Sequence, residues 1–187
     1  MKYYEDGAML KVLEKAMNQL PKLLKDKGKW ESLLIDYDTP LVERLYTNLQ
    51  NPYRLYLHAI HPCKKGKAFL HPHPWPSAIY ITRGKYVMEL GYSESLVAPK
   101  KTHEVVLSAG SYYEMIDPDQ WHSVRPIDEE SQSIMVSGRV WNRDMPKNPK
   151  KRLGPLSEVN KGCLFTDFER WLDGERAKGI IEWNLKI

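Results

Sequence analysis

Residues 70–77 read LHPHPWPS, and this stretch is the most informative part of the sequence for the local backbone. Its three prolines stand at alternate positions. Each proline lacks the backbone N–H and fixes its own φ at about −65°. Each also moves the preceding residue out of the helical region. The segment is therefore predicted to be stiff and extended.

Two histidines, His71 and His73, lie two positions apart in this segment. In a β-strand such residues share a face with Cα atoms roughly 7 Å apart, so both imidazoles can bind one metal ion at about 2.1 Å. In a polyproline II helix, with about three residues per turn, the two rings would diverge. A third histidine, His122, follows a glycine, a candidate strand and a tight turn within residues 110–121.

The chain between residues 30 and 140 has the texture of an antiparallel β protein. Short apolar stretches are separated by turn residues every 8–12 positions or so, which is typical of a sandwich or barrel. Residues 83–85, Arg-Gly-Lys, are predicted to form a hairpin turn, because glycine accepts a positive φ. Residues 40–49 fit a helix or a strand. The candidate strands cover residues 30–37, 53–60, 78–82, 86–91, 104–107, 111–116, 123–125 and 133–137.

Both ends of the chain carry helical patterns. Near the N-terminus apolar residues recur every three or four positions, which predicts an amphipathic helix. Pro21 is expected to kink this helix and Gly28 to close it. A second helix is predicted around residues 164–172, ending near Gly174, and residues 180–187 could pair with a sheet edge. The N-terminal stripe consists of Leu10, Leu13, Met17, Leu20 and Leu24.

These patterns divide the chain into three parts. Residues 1–29 are expected to form an N-terminal helical extension, residues 30–141 a β-barrel, and residues 142–187 a loop plus a C-terminal helix packed on the barrel. The 187 residues suffice for one domain with its own core. Open strand edges predict a homodimer.

Composition argues against several classes of partner. The net charge is +4, from 28 Lys and Arg against 24 Asp and Glu. The sequence has no basic stripe with interleaved aromatic residues, so a nucleic-acid interface is not expected. The basic run at residues 147–152 is interpreted as a surface loop. Apolar runs are far shorter than the ~20 residues of a membrane helix. Residues 1–6 lack the apolar core of a secretory leader. Two cysteines without C-x-x-C spacing indicate a reducing, cytoplasmic location.

At this point the chain resembles the cupin superfamily, whose RmlC-like members share two sequence motifs. The first is G-x5-H-x-H-x3,4-E-x6-G, and its two histidines and closing glycine match His71, His73 and Gly84. The second is G-x5-P-x-G-x2-H-x3-N, whose histidine matches His122. Ser77 replaces the glutamate of the first motif. The resemblance covers residues 66–126, about a third of the chain.

The resemblance implies an all-β fold, a cupin-like antiparallel β-barrel of the jelly-roll type, with helical extensions at both ends. It also implies a divalent transition metal bound by His71, His73 and His122. Three-histidine sites resemble those of the cupin thiol dioxygenases and β-diketone-cleaving dioxygenases. Fe(II) is the first expectation, with Zn, Ni, Cu or Mn as alternatives. The implied function is that of a metal-dependent enzyme, an oxidoreductase of the dioxygenase kind, acting on a small anionic chelating substrate.

Other functions stay open from the sequence. A cupin could bind or sense a small molecule without turnover, or act as a metal-free sugar epimerase or isomerase with a histidine base. The candidate catalytic residues are Tyr113 and Arg54. Arg54 would clamp a substrate carboxylate if its face of residues 53–60 lines the pocket. The opposite strand parity would leave it in solvent, and the sequence does not choose between the two.

Overall fold

The computed structural model describes residues 5–36, 38–144 and 153–187, and these contain two α-helices and eleven β-strands. The helices are α1 (Ala8–Leu23) and α2 (Glu158–Ala177). The strands are β1 (Glu31–Ile35), β2 (Val42–Asn48), β3 (Arg54–Ile60), β4 (His71–Pro72), β5 (Ser77–Arg83), β6 (Lys85–Tyr92), β7 (Thr102–Ser108), β8 (Tyr112–Met115), β9 (Gln120–Pro126), β10 (Ser131–Ser137) and β11 (Leu153–Gly154).

The strands form two antiparallel sheets. The seven-stranded sheet has the order β11-β1-β2-β3-β10-β5-β8, and the four-stranded sheet has the order β4-β9-β6-β7. Within the described ranges no strand pair joins the two sheets, so the expected closed barrel is not observed. The mostly antiparallel β fold with two helices is confirmed.

The prolines of residues 70–77 explain part of this separation. Since proline has no N–H to donate, the segment pairs with β9 only through His71 and Pro72. It forms an edge of the four-stranded sheet there, and the chain then crosses to the seven-stranded sheet at Ser77.

The prediction of a hairpin at residues 83–85 was wrong. Gly84 has the expected positive φ of 74°, and β5 ends at Arg83 while β6 begins at Lys85. The two strands nevertheless belong to different sheets, so the turn carries the chain between layers. Gly84 is required because an added Cβ would lie 2.8 Å from the Glu130 carbonyl oxygen.

The seven-stranded sheet has a different environment on each face. One face packs on both helices in a large apolar core that includes Leu55, Leu57 and Phe168. The alternate residues of β3, among them Tyr56, face the four-stranded sheet, since strand neighbours point to opposite sides. The space between the sheets is therefore lined by aromatic and polar side chains as well as aliphatic ones.

Helix α1 differs from its prediction at its C-terminal end. It continues through Pro21 and ends at Leu23, ahead of Gly28, which lies in a single 3₁₀ turn at Lys27–Lys29. Pro21 lies in the last turn of α1, so only two helical residues follow it. At the other end the Glu114 carboxylate of β8 accepts hydrogen bonds from the amides of Gly7, Met9 and Leu10.

The C-terminal region also corrects one expectation. Helix α2 begins after Ser157, whose Oγ accepts a hydrogen bond from the Asn160 amide. Residues 180–187 do not form a strand. Their backbone instead bonds to side chains of α1, because Asn18 both donates to and accepts from Trp183 and Glu14 accepts from the Leu185 amide.

The remaining expectations can now be compared with the structure. Residues 40–49, which fitted a helix or a strand, contain β2. The basic run at residues 147–152 lies outside the described ranges. Neither helix is long and apolar enough to cross a bilayer. The proposed boundaries at residues 29 and 141 stay predictions.

Candidate metal centre

Three histidine rings meet at the edge of the four-stranded sheet. His71 lies on β4 directly opposite His122 of β9 in the antiparallel register, and His73 follows β4 on the same side. One ring nitrogen from each histidine lies within 4.8 Å of the other two. The Nε2 atoms of His73 and His122 are 2.9 Å apart. The structure thus brings together all three histidines that the sequence singled out.

The extended backbone explains this convergence. The ring centroids of His71 and His73 are 5.6 Å apart, as expected for side chains on one face of a strand. The rings of His71 and His122 are 5.0 Å apart, and those of His73 and His122 are 4.5 Å apart. The divergent arrangement of a polyproline II helix is not observed.

Hydrogen bonds on the far side of two rings orient them. The Nδ1 of His71 lies 3.0 Å from the Phe69 carbonyl oxygen. Since a carbonyl only accepts, this Nδ1 carries the ring hydrogen and Nε2 keeps its lone pair. The Nδ1 of His73 lies 2.7 Å from the Ser77 hydroxyl, and donation to that oxygen leaves its Nε2 free in the same way. Such partners commonly fix the orientation of metal-binding histidines.

Burial keeps these rings neutral. It lowers the pKa of His73 and of His122 well below the usual imidazole value, and neighbouring histidines lower both pKa values further. Burial also lowers the pKa of His71, against the hydrogen bond to Phe69, which raises it. A neutral imidazole is the form that binds a metal ion. The cluster is therefore ready for coordination at neutral pH.

The donor set fits a transition metal. Two nitrogens that each lie about 2.1 Å from one ion and make roughly a right angle there are about 3 Å apart, close to the 2.9 Å observed between His73 and His122. Imidazole ligands suit Fe, Ni, Cu or Zn better than Mg or Ca. No carboxylate belongs to this group within the described residues. The buried Nδ1 of His122 has no hydrogen-bond partner there either.

Ser77 has a definite place in this centre. It is fully buried as the first residue of β5, and its hydroxyl bonds to His73. Ser77 is thus a hydrogen-bond partner of a ring nitrogen of His73.

The two candidate catalytic residues lie elsewhere. Arg54 is exposed at the start of β3, and its Nε donates to Asn48 Oδ1 at 3.0 Å. Tyr113 is between the sheets, and its hydroxyl accepts a hydrogen bond from Tyr86 at 3.0 Å. Burial raises the pKa of Tyr113 to about 12. Among the described contacts, neither side chain touches the three histidines.

A second group of residues lies beside the cluster, and sequence reasoning missed its arginine. Arg44 of β2 is paired in register with His58 of β3, and its Cζ lies 5.1 Å from the ring centroid of Tyr56. Tyr56 also stacks on Trp75 with an interplanar angle of 6°. The alternation of β3 places Tyr56 and His58 on the same face as Arg54, which is one of the two faces that the sequence left open for the pocket. Arg44 gave no signal, because its segment fitted a helix equally well.

Comparison with known proteins gives a partial structural likeness. No family model and no curated protein matches the chain. The chain is similar over 59% of its length to 56% of hydroxypropylphosphonic acid epoxidase from S. wedmorenis, with a TM-score of 0.47 and 13% identity. It is similar over 51% of its length to 49% of FeII HppE, with a TM-score of 0.43 and 12% identity. For the CENP-C cumin domain of Drosophila melanogaster the shares are 56% and 72%, with a TM-score of 0.43 and 20% identity. The chain thus spans about half the length of the first two structures.

Proposed function

We propose that this chain is a metal-dependent enzyme of the cupin type, in which His71, His73 and His122 hold a divalent transition metal. The observation that carries the proposal is the convergence of three neutral imidazoles from β4, its continuation and β9. Fe(II) is the first candidate, and Zn, Ni, Cu or Mn are alternatives. The reaction class is that of a mononuclear non-heme oxygenase.

The charge of such a centre favours an anionic substrate. Three neutral imidazoles leave the whole 2+ charge on the ion, whereas a carboxylate ligand would reduce it. When bound, the ion would act as a Lewis acid that polarises a chelating enolate, thiolate or carboxylate. The protein would orient the ligands through Phe69 and Ser77 and keep them neutral by burial.

Metal analysis of the purified protein tests this proposal. After metal-replete expression we expect about one ion per chain, and less than ~0.2 ion in a His73→Ala variant, because two imidazoles bind far more weakly than three. His103→Ala is the matched control, since His103 is exposed on β7. Wild-type protein with less than ~0.2 ion per chain, together with an inert His73→Ala change, would overturn the proposal.

Two other functions would give different results. A binding or sensor protein would show a ligand-dependent rise in melting temperature without product formation. A metal-free epimerase would keep its activity in strong chelators. The geometry disfavours the epimerase, because a histidine base works best with a pKa near neutrality. Burial lowers the pKa of each ring in the cluster, and no carboxylate among the described residues hydrogen-bonds to them.

A further inference from the structure

A cationic and aromatic surface lies next to the three histidines, on the seven-stranded sheet. It is built around Tyr56, whose ring has the Arg44 guanidinium carbon 5.1 Å from its centroid. The same ring stacks on His58 at 6.0 Å and on Trp75 at 6.3 Å. Since Arg44 and His58 are direct neighbours on β2 and β3, the sheet fixes their spacing. We name Arg44, His58 and Trp75 the anion wall.

The anion wall is continuous with the metal centre. The ring of Trp75 lies 6.2 Å from the ring of His73. Arg44 lies on the same side of the sheet, because its guanidinium carbon is 5.1 Å from the centroid of the Tyr56 ring. That ring stacks on Trp75. A small molecule that reaches the three histidines would therefore lie within the field of Arg44.

Two nitrogens of the anion wall are buried without protein partners in the described part of the chain. They are the Nε1 of Trp75, which can only donate, and the Nε2 of His58, a side chain that is 6% exposed. The Nδ1 of His58 lies 3.5 Å from the Ser133 hydroxyl, and in the tautomer in which that hydroxyl donates, Nε2 carries the ring hydrogen. Buried polar groups are nearly always hydrogen-bonded, so acceptor oxygens are the natural complement of this wall.

We propose that the anion wall binds a carboxylate or phosphoryl group at one end of the substrate, while the other end reaches the three histidines. Arg44 supplies the charge and the planar fork, and Trp75 and His58 supply N–H donors. This inference rests on the proposed function, which it deepens by naming the class of substrate. It gives Arg44 the role of binding a substrate carboxylate, which the sequence suggested for Arg54.

Calorimetric titration with two simple anions tests the anion wall. Inorganic phosphate and malonate are titrated, at fixed ionic strength, into Zn(II)-loaded protein and into chelator-treated protein. We expect saturable binding of at least one probe, and an Arg44→Gln variant should bind it roughly 10- to 100-fold more weakly, since hydrogen bonds to charged groups are the stronger ones. The preferred probe tells a phosphoryl group from a carboxylate. Arg54→Gln is the matched control and should stay within about twofold of wild type.

Two further variants keep the test decisive if Arg44→Gln does not fold. Arg44→Lys retains the charge and loses the fork, and Trp75→Phe retains the stacking and loses the N–H. Each should weaken binding by roughly 2- to 10-fold. Equal binding by these variants and wild type, or no binding of either probe to wild type, would overturn the inference.

Metal content separates this inference from the proposed function. Arg44→Gln should hold as much zinc as wild type, because Arg44 is not part of the histidine cluster. Arg44-dependent anion binding in a protein that retains no metal would leave the wall standing and reject the metal enzyme. Normal metal content, together with anion binding that Arg44→Gln does not change, would reject the anion wall and leave the proposed function in place.

Discussion

At the scale of single residues, Ser77 is the partner that holds His73 in place. Its hydroxyl lies 2.7 Å from Nδ1 of His73 and is fully buried. We expect Ser77→Ala to weaken metal binding by roughly 10- to 100-fold while leaving the fold intact, because the ring loses its orienting partner. Competition with a chromophoric chelator measures the change. Ser131→Ala is the matched control, since Ser131 is equally buried but bonds to the Arg83 carbonyl. Equal affinities in the two variants would contradict this role.

Tyr113 illustrates how a candidate acid can be a packing residue. Its pKa of about 12, raised by burial, keeps it protonated at neutral pH, and its hydroxyl bonds only to Tyr86 among the described contacts. We expect Tyr113→Phe to lower the free energy of unfolding by about 1–2 kcal/mol, because the buried Tyr86 hydroxyl loses its acceptor. Urea unfolding measures this loss. The metal content should not change, and a variant that lost its metal would show that Tyr113 supports the centre.

The sequence predicted the convergence of the three histidines better than the surroundings of the cluster. Alternate prolines imposed the extended backbone that puts His71 and His73 on one face, so their convergence followed from local geometry. The wall residues depend on pairing between distant strands. Arg44 reaches the site only because β2 aligns it with His58, and that register is set by the whole sheet.

At the scale of elements, helix α1 depends on a carboxylate from a strand. The Glu114 side chain of β8 accepts hydrogen bonds from three amides at the start of α1, where the helix carries partial positive charge. We expect Glu114→Ala to destabilise the protein by about 1–3 kcal/mol, because those amides lose a charged acceptor. Thermal unfolding checks this against Glu104→Ala, an exposed residue of β7. A melting temperature equal to that of the control would contradict the capping role.

The errors at the element scale have a common physical origin. Weak alternation at residues 180–187 suggested a strand, yet the tail finds its hydrogen bonds on Asn18 and Glu14 of α1. A turn with the expected glycine at residue 84 joins two sheets instead of closing a hairpin. In both places the local pattern was correct, and tertiary partners chose among the structures it allowed. The homodimer also depends on contacts beyond the local pattern, and it stays a prediction.

At the scale of the whole molecule, two buried and two partly buried histidines make stability depend on pH. Burial is the largest cause that lowers the pKa of His58, His71, His73 and His122. Below the unfolded-state pKa of about 6.5 the unfolded chain takes up protons that the folded chain does not, so stability rises with pH in this range. The metal-free protein should therefore lose up to about 1.4 kcal/mol per histidine for each pH unit below about 6.5. Above about pH 7 this dependence should vanish, because the rings are neutral in both states.

Metal binding and protonation of these rings should oppose each other. The ion needs neutral imidazoles, so zinc at 100 times its dissociation constant should add about 2.7 kcal/mol of stability at neutral pH and progressively less as the pH falls. Denaturant unfolding at pH 5, 6 and 7, with zinc or with chelator, measures both effects. A His58→Gln variant isolates one proton, because His58 is buried near the cluster without belonging to it. Without metal, the free energy of unfolding of this variant should rise less steeply with pH, by the contribution of about one histidine. The additional stability that zinc provides should be retained. Metal-free stability that is flat from pH 5 to 7 would show that these rings are not kept neutral by burial.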